Sequence, residues 1–214
     1  KSSVHRVLAT LGRRGLVEQD ADGRYRPGLA LLALGLGVLD REPLAAAERP
    51  PGPVFSACGA SAVYRRRLFL ALGGFDEDLF CYMEDVDLGF RLRLVGETCR
   101  YVPAATALHA GSGTTARRSD FSVFLGHRNL VWVYFKDMPG SLFWLYLPLH
   151  LLLNLASIPW LAWRGQGRVA VRAKWAALRG LPRVWRRRAE VQRGRRASAR
   201  AIRRALLGGM PWRR

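Results

Sequence analysis

Phe80–Gly96, FCYMEDVDLGFRLRLVG, decides how the rest of the chain is read. Glu84, Asp85 and Asp87 set three carboxylates within four residues, and Arg91 and Arg93 follow toward the other end. Two readings of the acids stay open on these residues alone. They form either a negatively charged first turn favoured by the helix dipole, or a carboxylate held on a rigid element at a cleft edge for proton transfer. Val86, Leu88, Phe90, Leu92 and Leu94 alternate as in a half-buried strand. The acids at the start, the arginines toward the end and Gly96 as a C-cap are helix punctuation, so a helix is predicted over 84–94.

Upstream, Val54–Tyr64, VFSACGASAVY, is small and apolar around Gly59 and is predicted as a buried strand approached closely by another backbone. Arg65–Leu72 is predicted as a helix stopped by Gly73-Gly74, and Phe75–Leu79 as a turn. Downstream, Cys99–Val102 is predicted as a strand closed by Pro103. His109 then leads into the glycine-bearing loop 111–115, whose amides and hydroxyls suit a phosphate or form a plain connection. Cys58, Cys81 and Cys99 are odd in number, lack CxxC spacing and sit among apolar residues, which predicts structural thiols in a reduced, intracellular setting and no zinc site.

Charge is unevenly spread. Residues 164–214 hold 17 Lys and Arg and the single acid Glu190, so +16 of the chain's +19 lies in this tail. Such a tail suits an anionic membrane surface or nucleic acid. Ser141–Trp163 is a run of 23 residues without formal charge, long enough to cross a bilayer core. Pro148 and Pro159 are expected to kink it, and His150, Asn154 and Ser157 make one polar stripe, favouring a helix in the interface or packed on a partner. The mixed Trp and Arg sequence that follows predicts a surface-bound amphipathic helix. A span here would put basic tail and acids on opposite sides against the positive-inside rule, so attachment at the cytoplasmic face is expected.

Residues 1–50 read as a helix stopped by Gly12 and Gly15, then a hairpin around Asp20-Ala21-Asp22-Gly23. Ser2, Ser3, His5 and Arg6 lie early in that helix, where a winged helix-turn-helix presents its DNA-contacting residues. KSSVHRVLATL and GLVEQDADGRYRPG resemble the recognition helix and wing of IclR-type transcriptional regulators, and LALLALGLGVLDREPLAAAERP resembles their linker helix. ERPPGP, at 48–53, is the expected boundary.

GGFDE, then YMEDVDL, then His109 before Gly-Ser-Gly, then Arg128-Asn129 together resemble the C-terminal half of the catalytic domain of family 2 glycosyltransferases, in particular the rhamnosyltransferase-like branch. The resemblance implies an inverting transfer from a nucleotide-sugar donor to a glycan or glycolipid acceptor, with Asp85 as base and Glu84 and Asp87 shaping the acceptor pocket and raising its basicity. It implies a divalent metal, Mg or Mn, ligated in part by His109. It makes Arg128 and Asn129 candidates for the diphosphate or an anionic acceptor, and places Asp76 on the acceptor side; Arg128 also suits pairing with the acids of 84–87. Relatives carry their Asp-x-Asp motif in an N-terminal half; ahead of Pro53 the one Asp-x-Asp, Asp20-Ala21-Asp22, belongs to the wing turn, so the donor-binding half is expected to be missing and the chain to be inactive alone.

The expected architecture is therefore α/β. It comprises a partial winged helix and linker over 1–50, the acceptor-side catalytic half of a GT-A-like nucleotide-diphospho-sugar transferase domain over 53–140, membrane-associated helices over 141–190 and a disordered basic tail over 191–214. A truncated or chimeric product is expected, with a DNA-binding regulator as the competing class and an inactive interaction protein as a third.

Overall fold

The computed structural model describes residues 17–19, 25–27, 51–105 and 119–208. The chain divides into two units, residues 1–49 with 104–113, and residues 50–103 with 114–214. In the first, β1 (Val17–Gln19) pairs antiparallel with β2 (Tyr25–Pro27), Val17 facing Pro27 and Gln19 facing Tyr25. The expected hairpin is present; Ser2, Ser3, His5 and Arg6 lie outside the described residues.

The second unit runs β3 (Gly52–Val54), α1 (Arg66–Ala71), α2 (Glu84–Leu94), β4 (Cys99–Tyr101), α3 (Asp120–Asp137), α4 (Gly140–Trp163), α5 (Gly167–Arg193) and α6 (Ala199–Gly208). Strands β3 and β4 pair antiparallel, Val54 facing Cys99. Among the described residues this unit is mostly helical, so the α/β expectation is met only by this small sheet. The strand expected over 54–64 ends at Val54, and the chain then turns, with the Ser61 N–H on the Cys58 carbonyl at 3.0 Å and residues 58–61 exposed. Cys99 is buried, but Cys58 is exposed and is not the core thiol expected.

Helix α2 is enclosed on every side, and its sequence shows how. Residues four apart share a helix face, so the segment holds four rows. Val86, Phe90 and Leu94 face the main core with Leu79, Val131, Tyr134 and Phe143. Leu88 and Leu92 face a second cluster with Cys99, Val54, Tyr64 and Phe69. Asp87 and Arg91 form a buried ion pair at 2.6 Å. Asp85, Gly89 and Arg93 run along the 54–59 segment. Gly59 N–H donates to Asp85 Oδ2 at 2.9 Å, a Cβ on Gly89 would lie 2.2 Å from Ser56 Cβ, and Arg93 Nε donates to the Phe55 carbonyl at 3.2 Å. The strand-like alternation thus arises from two apolar rows on opposite faces of a helix.

Helices α3 and α5 pack closely at Gly180, where a Cβ would lie 2.4 Å from the Trp132 ring, and Trp132 Nε1 donates to the Ala177 carbonyl at 3.0 Å. The last carbonyls of α3, which lack intrahelical donors, are met from α5: Arg188 donates to Phe135 O at 2.8 Å and Gln192 to Asp137 O at 2.9 Å. The helix expected to be amphipathic and surface-bound buries one face in the protein, through Val169, Ala170, Ala173, Ala177 and Val184.

Disorder was expected over 191–214, yet 199–208 is helical. Ile202, 1% exposed, enters the main core with Leu206 beside it. Two apolar residues four apart inside an arginine-rich run are enough to seat one helix face. Backbone N–H groups of Arg196 and Ala197 both donate to the Leu94 carbonyl at 2.9 Å, joining this segment to the end of α2.

Helix α4 runs unbroken through Pro148 and Pro159. Only 17% of its most apolar window is buried in the protein. The polar stripe does pack on a partner, which is α5: Lys174 Nζ donates to the Asn154 side chain, while Asn154 Nδ2 bonds the His150 carbonyl at 2.7 Å and Ser157 Oγ the Asn154 carbonyl at 2.7 Å.

Candidate active site

Three residues of unfavourable backbone lead into α2. Phe80, Tyr82 and Met83 have φ of 63°, 65° and 71°, a left-handed region that side chains bearing a Cβ rarely adopt. Such strain persists only where the surroundings over-determine it. Here Asn129 does so. Fully buried on α3, its Nδ2 donates to the carbonyls of Leu79 at 2.9 Å, Cys81 at 2.9 Å and Tyr82 at 2.7 Å. Arg128 adds bonds to Asp78 O at 3.2 Å and Leu79 O at 3.1 Å, steadies Asn129 Oδ1 at 2.9 Å, and lies 4.3 Å over the Trp132 ring. Burial, then Arg183, lowers its pKa. Both residues were expected to touch a diphosphate or anionic acceptor, or, for Arg128, to pair with the acids of α2. Instead the Asn129 amide is used up on the 79–82 loop, and Arg128 holds the same loop.

The acids of 84–87 separate by role. Asp85 is partly exposed in the first turn of α2, its Oδ2 on the Gly59 amide and its Oδ1 on the Val86 amide at 2.8 Å. Glu84 is partly buried, and its Oε2 has no hydrogen-bond partner among the described residues. Burial pushes the Glu84 carboxyl above its ordinary value; a backbone hydrogen bond opposes this and Asp85 adds to it. The Tyr64 hydroxyl, also buried and unpartnered among the described residues, is raised by burial, then by Cys99 and Asp85.

Asp87 does not shape the pocket with them. It is 0% exposed, bound by Arg91 and lying 2.5 Å from Lys136 Nζ. Asp76 pairs with the same Lys136 and caps its own turn through the Asp78 N–H at 3.1 Å. Burial opposes the Asp76 charge, but Lys136 outweighs it and holds the carboxyl below its ordinary value. Asp137, wholly buried next to them, is pushed well above the carboxylate range by burial first and then by Asp87. Asp76 also lines a cleft of about 660 Å³ at the C-terminal end of α2, with Arg91, Lys136, Arg187, Glu190 and Arg196. That cleft lies at the opposite end of α2 from Asp85.

His109 and the 111–115 loop lie outside the described residues. Among the described residues no three His, Cys, Asp or Glu side chains gather as a cation cage. The closest acidic set, Asp76, Asp87 and Asp137, surrounds Lys136, so it does not fit Mg or Mn.

Lys136, Asp137, Tyr64 and the Gly59 amide were not singled out from sequence. Lys136-Asp137 carried a usable signal, because two charges close an otherwise apolar run in α3 and buried charges come in sets.

Asp85 thus stands in the first turn of a helix entered through a clamped, strained loop. The model of glycosyl transferase family group 2 matches residues 44–178, and the chain belongs to this family. It is similar to N-acetylglucosaminyl-diphospho-decaprenol L-rhamnosyltransferase of Mycobacterium tuberculosis, 33% identical over 155 residues, covering 72% of this chain and 45% of that protein. It is also similar to Rhamnosyltransferase WbbL of Escherichia coli, 43% identical over 51 residues, 24% of this chain and 19% of the relative. The chain thus spans about half the length of the longer-matching relative. No solved structure gives a significant match.

Proposed function

We propose that the chain carries the acceptor side of a glycosyltransferase that moves a sugar from a nucleotide-sugar donor to a lipid-linked glycan, with Asp85 as general base. Rhamnose as the sugar is supported by the names of both relatives, and a diphospho-polyprenol-linked N-acetylglucosamine as the acceptor class by the name of the Mycobacterium tuberculosis relative. The observation that carries the reading is Asp85, inside the family-matched region and fixed by the Gly59 amide on an enclosed helix. As the acceptor hydroxyl oxygen bonds to the anomeric carbon, its proton passes to the carboxylate and the bond to the nucleoside diphosphate breaks.

The test is transfer of nucleotide-activated L-rhamnose to N-acetylglucosaminyl-diphospho-polyprenol by the chain joined to the donor-binding half of a relative. Asp85→Asn lowers turnover by about 10²-fold or more, and retained turnover removes Asp85 from the base role.

Attachment to an anionic membrane at the cytoplasmic face belongs to the same reading. It is supported by the exposed apolar surface of α4, with Trp144 68%, Leu152 62% and Leu155 65% exposed, beside the arginines of α5. Because Asn154 of α4 is bonded to Lys174 in mid-helix, a position along the interface suits the pair better than a crossing. Leu152→Glu with Leu155→Glu abolishes co-sedimentation with phosphatidylglycerol vesicles, and unchanged sedimentation overturns the attachment. The DNA-binding alternative has only the β1–β2 hairpin among the described residues, a motif shared by many folds.

A further inference from the structure

Phe80 is 76% exposed although its backbone has φ of 63°. A bulky aromatic is a poor residue for a left-handed position and a poor one for open solvent. Folding alone gives no reason for it. Two further rings stand with it: the Phe121 centroid lies 6.4 Å from that of Phe80, edge to face at 89°, and 6.4 Å from that of Tyr82. Phe121 is itself 44% exposed.

One helix holds both halves of this group. Phe121 rides the first turn of α3, capped by Ser119 Oγ accepting the Ser122 N–H at 3.2 Å. The Phe80–Tyr82 loop is fastened to the same helix through Arg128 and Asn129. The rings are therefore pre-ordered, and Phe80 and Tyr82 immediately precede Glu84 and Asp85 in the chain.

From this we propose that Phe80, with Phe121 and Tyr82, forms an acceptor subsite that stacks against the apolar C–H face of a pyranose ring, resting on the glycosyltransferase reading above. A pyranose presents axial C–H bonds on one face and hydroxyls at its rim. An exposed, rigid aromatic face binds the first and leaves the second to polar groups such as the neighbouring carboxylates. Asn129 and Arg128 act on this subsite as positioning residues.

The probe is methyl N-acetyl-β-glucosaminide, followed by saturation-transfer NMR and titration on the full chain. The expected result is transfer concentrated on the ring C–H protons, with affinity about fivefold weaker in Phe80→Ala and in Phe121→Ala and retained in Phe80→Tyr. Where Phe80→Ala disturbs folding, as read by circular dichroism, Phe121→Ala decides. Equal affinity in a folded alanine variant overturns the subsite. So does the absence of binding to the wild-type chain. With octyl N-acetyl-β-glucosaminide as probe, transfer confined to the octyl protons overturns the sugar occupant in favour of lipid. The rhamnosyl-transfer assay with Asp85→Asn is independent of all these outcomes, so loss of the subsite and loss of the enzymatic reading are separable.

Discussion

Lys136 Nζ lies 2.5 Å from Asp87 Oδ1, with the two side chains 5% and 0% exposed, and so ties the last turn of α3 to the first turn of the helix that carries Asp85. Asp76 holds the same ammonium from the 75–79 turn. Burial lowers the proton affinity of Lys136, but Asp137, Asp87 and Asp76 outweigh it and keep the group charged. Lys136→Met leaves buried carboxylates without their shared cation, and is expected to destabilise the fold by about 3–5 kcal/mol. Urea denaturation measures it; a loss under 1 kcal/mol contradicts the central place of the cluster.

Gly89 faces Ser56 so closely that any Cβ must displace backbone, since Ser56 Cα would be 2.8 Å away. Gly89→Ala is expected to cost about 1–3 kcal/mol. Because the same row sets Asp85 against Gly59, turnover falls with stability. A variant as stable and active as wild type would show that the 54–59 segment can retreat from α2.

For α6, the sharp test is Ile202→Ala. Removal of a 1% exposed side chain from the main core is expected to cost about 2–5 kcal/mol. The same substitution in a disordered tail would leave the melting temperature unchanged.

Lys174 gives a pH signature. Burial lowers its pKa from 10.5 to about 8. Below pH 8 the ammonium is present in folded and unfolded chains alike, so the folded state carries the full burial cost. As pH rises from about 8 to 10.5 the folded chain releases its proton first, and stability increases. Lys174→Met abolishes that rise, as thermal melts between pH 7 and 9.5 will show. The upper limit avoids Tyr134, whose pKa burial raises to about 12 and whose ionisation in the unfolded chain lowers stability above pH 10.

Much of the central helix was legible because its punctuation is local: acids at Glu84 and Asp85, arginines at 91 and 93, and Gly96 with φ of 94° just beyond the end. What the acids do was not legible. Asp85 and Asp87 are two residues apart, yet one meets the Gly59 amide and the other Lys136, partners 26 and 49 positions away. The strand expected over 54–64 failed for a related reason, since small apolar residues suit a segment pressed lengthwise on Gly89 as well as they suit a sheet. Asn129 was expected to meet a diphosphate or an anionic acceptor, and its side chain meets main-chain carbonyls of the 79–82 loop. Its pattern marks a buried amide, and only the fold shows that the amide meets main-chain carbonyls.

The two N–H groups of Arg196 and Ala197 on the Leu94 carbonyl have a dynamic consequence. The C-terminal segment and the helix bearing Asp85 open together as one cooperative unit, because neither end of these bonds can be released alone. Hydrogen exchange at residues 196 and 197 therefore reports on α2 from more than a hundred positions downstream.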